Sequence, residues 1–233
     1  MSNTTSGAYQ FDQDFSIDEI ISDAYERIGL VGTSGHQLKT ARRSLNILFQ
    51  EWGNRGLHFW EVGNTNVTLI QGSSTNVNAT DEGAGTYTFY RNAVDSAAAA
   101  AASPQATTVP TANVYGITDI LNIGFRQNYN TTSQSDVALS KVDRSAYSGT
   151  ANKAAVGTPS QFWVQRFIDR VTVTLYPLPN AAAAAATSKL MVYYVKRIQD
   201  VGAFSNATDT PFRFVPCMVS GLTYLLSQKF APE

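Results

Sequence analysis

Few residues in this sequence are suited to nucleophilic catalysis, and the only two histidines are His36 and His58. A Ser–His–acid triad needs a histidine at its centre. His36 falls in a predicted helix cap and His58 stands beside two aromatic residues, positions that favour a structural role. Residues 32–35 lack the spacing of a G-x-S-x-G nucleophile elbow, and the chain has no P-loop or G-x-G-x-x-G motif. We therefore expect no nucleophilic or nucleotide-dependent catalysis.

Paired carboxylates, the acid and base of glycoside hydrolases, are the next candidates. The acids at 18–23 are explained by the positive N-terminal end of a helix dipole. Asp81 and Glu82 lie in a glycine-rich loop that would not hold a carboxylate in place. Asp119 lies in a predicted strand, where an inward ion pair with an arginine is favoured over catalysis. Since no two acids are predicted to face one cleft, we expect that the protein is not an enzyme.

Metal and cofactor sites are not predicted either. Two histidines without a His-x-x-x-His spacing give no zinc signature, and the single Cys217 gives no disulfide framework. The first ten residues carry no secretory signal, and the longest apolar runs are two alanine sextets. We expect synthesis in a reducing compartment, no membrane association and no cofactor.

The charge balance excludes a strongly basic nucleic-acid binder. The 233 residues carry 17 Lys and Arg against 18 Asp and Glu, a net charge of −1, and charged residues make up only 15%. The basic residues cluster once, at Lys39, Arg42, Arg43 and Arg55. A solvated helix face is the simplest interpretation, with contact to an acidic partner as the alternative.

The beginning of the chain predicts two capped helices. Ser16 with Glu19, and Ser34 with Gln37, have the spacing of capping boxes. Apolar residues follow each box at helical spacing, and glycines end both helices. The apolar residues of the second helix recur at alternating intervals of three and four, a pattern typical of helix pairing, at Leu38, Ala41, Leu45, Leu48 and Trp52.

The end of the chain predicts a third helix, which Pro211 or Pro216 would open. Its apolar stripe contains Gly221, which costs about 1 kcal/mol relative to alanine within a helix, so we expect a close packing contact there. The stripe runs through Met218, Val219, Leu222, Leu225, Leu226 and Phe230.

The middle of the chain alternates apolar and polar residues with a period of two, which predicts six or seven antiparallel strands. The positions expected to point to one face are Val67 and Leu69; Tyr87 and Phe89; Ile117, Leu121, Ile123 and Phe125; Phe162 and Val164; Val171, Val173 and Leu175; and Leu190, Val192 and Tyr194. Long neutral loops at 72–86, 97–113 and 181–188 are expected to be mobile in the isolated chain.

These patterns predict an α+β fold, a helical bundle built from both chain ends with an inserted antiparallel β-sandwich or barrel. The expected domains are residues 1–56 with 211–233, which are helical, and residues 57–210, which form the β-domain. The change of period from about 3.6 to 2 and back sets these boundaries.

Several short motifs, taken in their order along the chain, resemble those of a known class of proteins. The motifs are Asp18-Glu19-Ile20-Ile21 with Ala24-Tyr25 and Gly29; Leu45-Asn46, Glu51-Trp52 and residues 55–60; residues 157–164; residues 175–179 with Tyr193-Tyr194-Val195; and Pro211 with Ala231-Pro232-Glu233. In this order they resemble the head-to-tail adaptor proteins of short-tailed bacteriophages, the tail tubular protein A class.

The resemblance implies a structural virion protein, made in the host cytoplasm and located in the phage tail beneath the portal. Its partners would be the portal protein, the tail nozzle or tube protein and further copies of itself in a ring, usually dodecameric. Phage DNA would pass through the lumen without sequence-specific binding.

The expected portal contacts are Lys39, Arg42, Arg43, Arg213, Lys229 and Phe230, and the expected anchors at the helix-to-strand junction are Trp52, Phe59 and Trp60. Two alternatives stay open: a β-sandwich module that binds a receptor or glycan, and a carboxylate glycosidase of phage entry.

Overall fold

The computed structural model describes residues 16–31, 34–57, 60–72, 85–92 and 116–230. Within these ranges the fold is α+β, with four α-helices, one 3₁₀ turn at Phe212–Phe214 and ten strands. The helices are α1 (Ile17–Arg27), α2 (Gly35–Asn54), α3 (Arg144–Ser148) and α4 (Val215–Phe230). The strands are β1 (Val62–Thr68), β2 (Thr86–Tyr90), β3 (Ile117–Gln127), β4 (Ser135–Ala138), β5 (Ser140–Val142), β6 (Val156–Gly157), β7 (Gln161–Arg166), β8 (Arg170–Tyr176), β9 (Leu178–Pro179) and β10 (Lys189–Lys196).

The chain divides into two compact units, one made of residues 1–60 with 197–233 and the other of residues 61–196. The first unit holds α1, α2 and α4, and the second holds all ten strands and α3. The observed boundaries differ from the expected ones by four residues near residue 60 and by fourteen residues before α4.

Both long N-terminal helices begin at the expected caps. The Ser16 amide donates to Glu19 Oε2 at 2.9 Å, and the Gln37 amide donates to Ser34 Oγ at 3.2 Å. After α1 the chain turns at Gly29, and after α2 it turns at Gly56, with φ of +73° and +79°. Such φ values strain residues that carry a Cβ, so glycine suits both helix ends.

Helix α4 packs against both α1 and α2, which contact each other much less. At Gly221 the Leu48 side chain of α2 packs so closely on the backbone of α4 that a Cβ would lie 2.9 Å from Leu48 Cδ2. This is the close contact that glycine at this position predicts. The buried side chains that α4 contributes are Val215, Met218, Val219, Leu222 and Leu226.

Residues 197–210, here called the strap, belong to the helical unit although they contain no helix. Ile198 and Val201 are buried in the helical core, which is why the unit begins before residue 211. The carbonyls of Phe204 and Asn206 accept the amides of Asp18 and Ile17, both at 3.0 Å. These amides belong to the first turn of α1 and have no partner within the helix, so the strap satisfies them.

The strands of the second unit form two four-stranded sheets, here called sheet one (β1-β10-β3-β4) and sheet two (β2-β8-β7-β5). Sheet one is antiparallel throughout. In sheet two β5 pairs with β7 in parallel, and β6 and β9 form a further parallel pair, so the expectation of a wholly antiparallel domain was wrong at these places. A parallel pair needs a long connection, and the segment with α3 between β5 and β7 supplies it.

One residue of the period-two pattern faces the other way. Leu121 was expected to share the inner face of β3, yet Ile120 is fully buried and Leu121 is 38% exposed. The pairing with β10 shifts between Tyr193 and Tyr194, and this bulge leaves Leu121 opposite no residue of β10. A bulge adds one residue and so reverses the alternation beyond it.

A single buried cluster takes side chains from both sheets, including Tyr87, Phe89, Phe125 and Phe162. Neither sheet closes on itself within the described strands, so the barrel option is not observed. Of the three long loops, most of 72–86 and all of 97–113 lie outside the described residues. The third, 181–188, buries Ala183, and its turns are held by hydrogen bonds to Asn180.

Among the helices described, none has the length and apolarity needed to cross a bilayer.

Replacing Gly221 with valine is expected to lower the free energy of unfolding by about 1–3 kcal/mol, because the new side chain overlaps Leu48. The same substitution at the exposed Gln228 of α4 is the matched control, with a change within about 0.5 kcal/mol. Urea denaturation of the two variants measures both values. Equal stabilities would show that the approach of α4 to α2 is not tight.

Candidate interaction surfaces

The basic residues of α2 are all exposed, but they differ in the contacts that they make. The Arg42 guanidinium donates from Nε to the Val201 carbonyl at 3.0 Å and stands 6.0 Å from the centre of the Phe204 ring. From the same helix, Asn46 Oδ1 accepts the Val201 amide at 2.8 Å. Arg42 and Asn46 therefore bind the carbonyl and the amide of Val201, so Arg42 helps to fix the strap to α2.

Lys39 and Arg43 are exposed one turn apart on the same helix. Neither makes an ion pair or a side-chain hydrogen bond to any other residue that the structure describes. Ile47 follows one turn later and is 50% exposed. Residues at intervals of four share a helix face, so Lys39, Arg43 and Ile47 form one stripe, here called the α2 stripe.

Two of the three candidates near α4 have partners inside the helical unit. Lys229 Nζ donates to Ser44 Oγ on α2 at 2.8 Å. The Phe230 ring stands 6.0 Å from that of Tyr25 on α1. Arg213 remains exposed, and its guanidinium lies 5.6 Å from the ring of Phe214.

The expected junction anchors meet an aromatic residue that the sequence analysis did not single out. The Phe214 ring lies 5.8 Å from the Trp52 ring and 4.6 Å from the Trp60 ring. Trp60 Nε1 also donates to the Asp209 carbonyl of the strap at 3.1 Å. Trp52 and Trp60 thus act as packing residues of the helical unit. Phe59 and its neighbour His58 lie outside the described residues.

The exposed side of α4 carries a residue that the sequence analysis passed over. Tyr224 is 62% exposed on the helix face opposite the buried stripe, between Ser220 and Gln228, which are also exposed. The only indication of Tyr224 in the sequence was an aromatic residue on the polar side of an amphipathic helix.

The outer face of sheet one carries a row of polar side chains across three strands. The cross-strand register sets Tyr193 of β10 between Asn64 of β1 and Asn122 of β3. All three side chains are exposed. An aromatic ring beside amide groups can offer both an apolar face and paired hydrogen bonds to a neutral polar ligand.

Asp119 forms the ion pair that the sequence analysis favoured over catalysis. Arg166 donates from Nε and Nη2 to the two carboxylate oxygens at 3.0 and 2.8 Å. The pair is half-exposed and not inward as expected, with 35% of the Asp119 side chain open to solvent.

The environment of Asp119 favours its charged form. Burial raises its pKa, but hydrogen bonds from Arg166 and from the Ile120 amide, together with the charges of Arg166 and Lys141, outweigh burial. The net effect holds the pKa below its ordinary value of 3.8. A general acid needs the opposite shift, so this carboxyl is suited to an ion pair.

No three residues of the types that ligate metals come together in the described part of the chain. His36 is exposed in the first turn of α2. A small cleft of about 120 Å³ is lined by the strap residues 199–202 and 206–209 together with Ile17 of α1 and Phe49 of α2. Its two acids, Asp200 and Asp209, belong to the strap, and Arg197 stands 3.8 Å from the Asp200 carboxylate.

In comparisons with known proteins, no family model and no curated protein matches this sequence.

Replacing Arg42 with methionine is expected to lower the free energy of unfolding by about 1 kcal/mol, because the Val201 carbonyl loses its charged donor. Arg43→Met, the same change at the adjacent exposed position, should alter stability by less than about 0.5 kcal/mol. Thermal and urea unfolding of both variants give the comparison. A larger loss in the Arg43 variant would contradict the role of Arg42 in holding the strap.

The Asp119–Arg166 pair predicts a dependence of stability on pH. Because folding lowers the pKa of Asp119, its contribution is full above the ordinary value of 3.8 and is lost as pH falls through the lowered pKa. Asp119→Asn should therefore cost up to about 1 kcal/mol at neutral pH, since solvent screens an exposed pair, and nothing in strong acid.

Urea titrations from pH 7 down to the acid range measure this difference. The control is the same substitution, Asp119→Asn, in an Arg166→Gln background, where the pH dependence should shrink because the arginine that lowers the pKa of Asp119 is absent. A constant deficit of the Asp119 variant at all pH values would contradict the assignment.

Proposed function

We propose that this chain is a structural head-to-tail adaptor of a short-tailed bacteriophage, which joins the portal ring to the tail nozzle and lines the channel for DNA ejection. The resemblance of its ordered motifs to that class supports the proposal. The observation that carries it is the helical unit, which is made from both chain ends and leaves charged and aromatic side chains exposed that its own packing does not use.

In this proposal the helices of both chain ends form one bundle, and the two β-sheets form a sandwich inserted between them. The shared buried cluster of sheets one and two supports the sandwich. The packing of α4 against both α1 and α2 supports the bundle. The protein acts by binding and not by catalysis, in the virion, and uses no cofactor.

We assign portal docking to the exposed side of α4 and to the turn before it. Tyr224 and Arg213 are the exposed side chains there that we expect to contribute most of the binding energy, since tyrosine and arginine are enriched among the residues that dominate protein interfaces. Arginine also binds carboxylates in a bidentate manner, so an acidic portal surface is the expected counterpart. Lys229 and Phe230, with their contacts inside the unit, support this surface and do not form it.

The double variant Arg213→Glu/Tyr224→Ala is expected to bind the purified portal protein of the same phage at least tenfold more weakly, measured by biolayer interferometry. Tyr193→Ala, which removes an exposed tyrosine from the β unit, is the matched control and should bind like the wild type. Electron microscopy of the wild-type complex should show a ring of this chain on the portal.

Two results would count against these assignments. Unchanged binding by the double variant removes the α4 face from the portal contact. Failure of the wild type to bind the portal at all overturns the adaptor function.

A second candidate function is the recognition of a receptor or glycan. The row of Asn64, Tyr193 and Asn122 on sheet one favours it, because amide groups and an aromatic face are suited to neutral sugars. Glycan-array binding that Tyr193→Ala abolishes, in a protein that binds no portal, would support this function over the adaptor.

A further inference from the structure

The helical unit separates its charges between two helices. Helix α1 carries four acidic residues and one arginine, whereas α2 carries three basic residues and one glutamate. The acidic residues of α1 lie on its outer side, where Glu19, Asp23 and Glu26 follow each other at intervals of four and three. These three residues form the α1 stripe, and the α2 stripe of Lys39, Arg43 and Ile47 has a similar spacing.

The two stripes are similar in length and opposite in charge. At 1.5 Å per residue the α1 stripe is roughly 10 Å long and the α2 stripe roughly 12 Å. Ile47, which is 50% exposed, adds an apolar side chain at the end of the α2 stripe. Two such surfaces laid side by side would pair opposite charges.

Within one chain the stripes do not meet. Helix α4 packs against both α1 and α2, and the two helices have few contacts with each other. Asp23 pairs with Arg27 of its own helix at 3.2 Å, while Lys39 and Arg43 have no ionic partner among the residues described. The positive charge of the α2 stripe is therefore left for another molecule.

We propose that the α2 stripe of one copy binds the α1 stripe of the next copy. The contact joins two different surfaces, so each copy offers one stripe to each of two neighbours, and the chain of contacts closes into a ring if the rotation allows it. The inference rests on the proposed ring-forming function and assigns Lys39 and Arg43 to the neighbouring copy in place of the portal. Charge complementarity selects this occupant, because the same chain carries the matching acidic stripe.

Two charge-reversed variants test the contact. Lys39→Glu/Arg43→Glu makes the α2 stripe acidic. Asp23→Lys/Glu26→Lys reverses two of the three acids of the α1 stripe and keeps the Ser16 cap; it gives up the exposed Asp23–Arg27 pair, which contributes little to stability in solvent. These side chains are exposed or half-exposed, so circular dichroism and thermal unfolding should stay close to the wild type. Arg144→Glu in the β unit is the control for a change of net charge.

Each variant alone should associate about tenfold more weakly, because like charges would face each other at every contact. An equal mixture of the two variants should recover assembly, since each variant then offers the other an opposite charge at both stripes. Sedimentation velocity over a range of concentrations, and the number of copies bound per portal by native mass spectrometry, measure the effect.

The outcomes separate this inference from the adaptor function. Recovery in the mixture but not in the single variants supports the contact, even for a chain that binds no portal. Wild-type assembly by both single variants overturns it and leaves the adaptor function standing. Normal self-association of Lys39→Glu/Arg43→Glu with lost portal binding also overturns it, because the α2 stripe would then contact the portal.

Discussion

The helical unit depends on the missing side chain at Gly221. Without a Cβ there, α4 approaches α2 closely enough for Leu48 to fill the space above its backbone. That approach brings Lys229 within 2.8 Å of Ser44 and buries the stripe of α4. Glycine costs about 1 kcal/mol in a helix, and the packing it allows offsets that cost. Helices α1 and α2 both pack against α4 and hardly against each other. The charged stripes that lie outside these contacts therefore stay exposed.

The strap shows how a segment without regular structure can be fixed by polar contacts. Its carbonyls satisfy the first amides of α1, and Arg42 and Asn46 hold both backbone groups of Val201. Unpaired backbone groups are costly when buried, so these bonds allow the strap to lie over an apolar core. The strap therefore stabilises the start of α1 and the middle of α2 at once, although the two helices hardly contact each other.

The sequence predicted the elements well where local rules decide them. Both capping boxes, the close contact at Gly221 and the strands around Phe89, Phe162 and Val192 follow from spacing alone. Leu121 was misplaced because a bulge depends on how two strands pair, which the periodicity of one strand does not record. The interaction surfaces were less predictable. Arg42 and Arg43 are adjacent and identical in the sequence. Only the contact of Arg42 with Val201 of the strap, 159 residues away, distinguishes a structural arginine from one whose side chain has no hydrogen-bond partner among the described residues.

The helical unit draws on both ends of the chain, and this has a consequence for synthesis. Helix α2 ends at Asn54 and α4 begins at Val215, so the ribosome adds about 160 residues between them. At ordinary rates of translation this takes roughly 10 to 30 s, during which the apolar stripes of α1 and α2 lack their partner helix. The β unit is continuous in sequence, and its last strand, β10, is synthesised before α4. When α4 emerges it closes on the first two helices, so a nascent chain without α4 exposes the apolar surfaces that chaperones recognise.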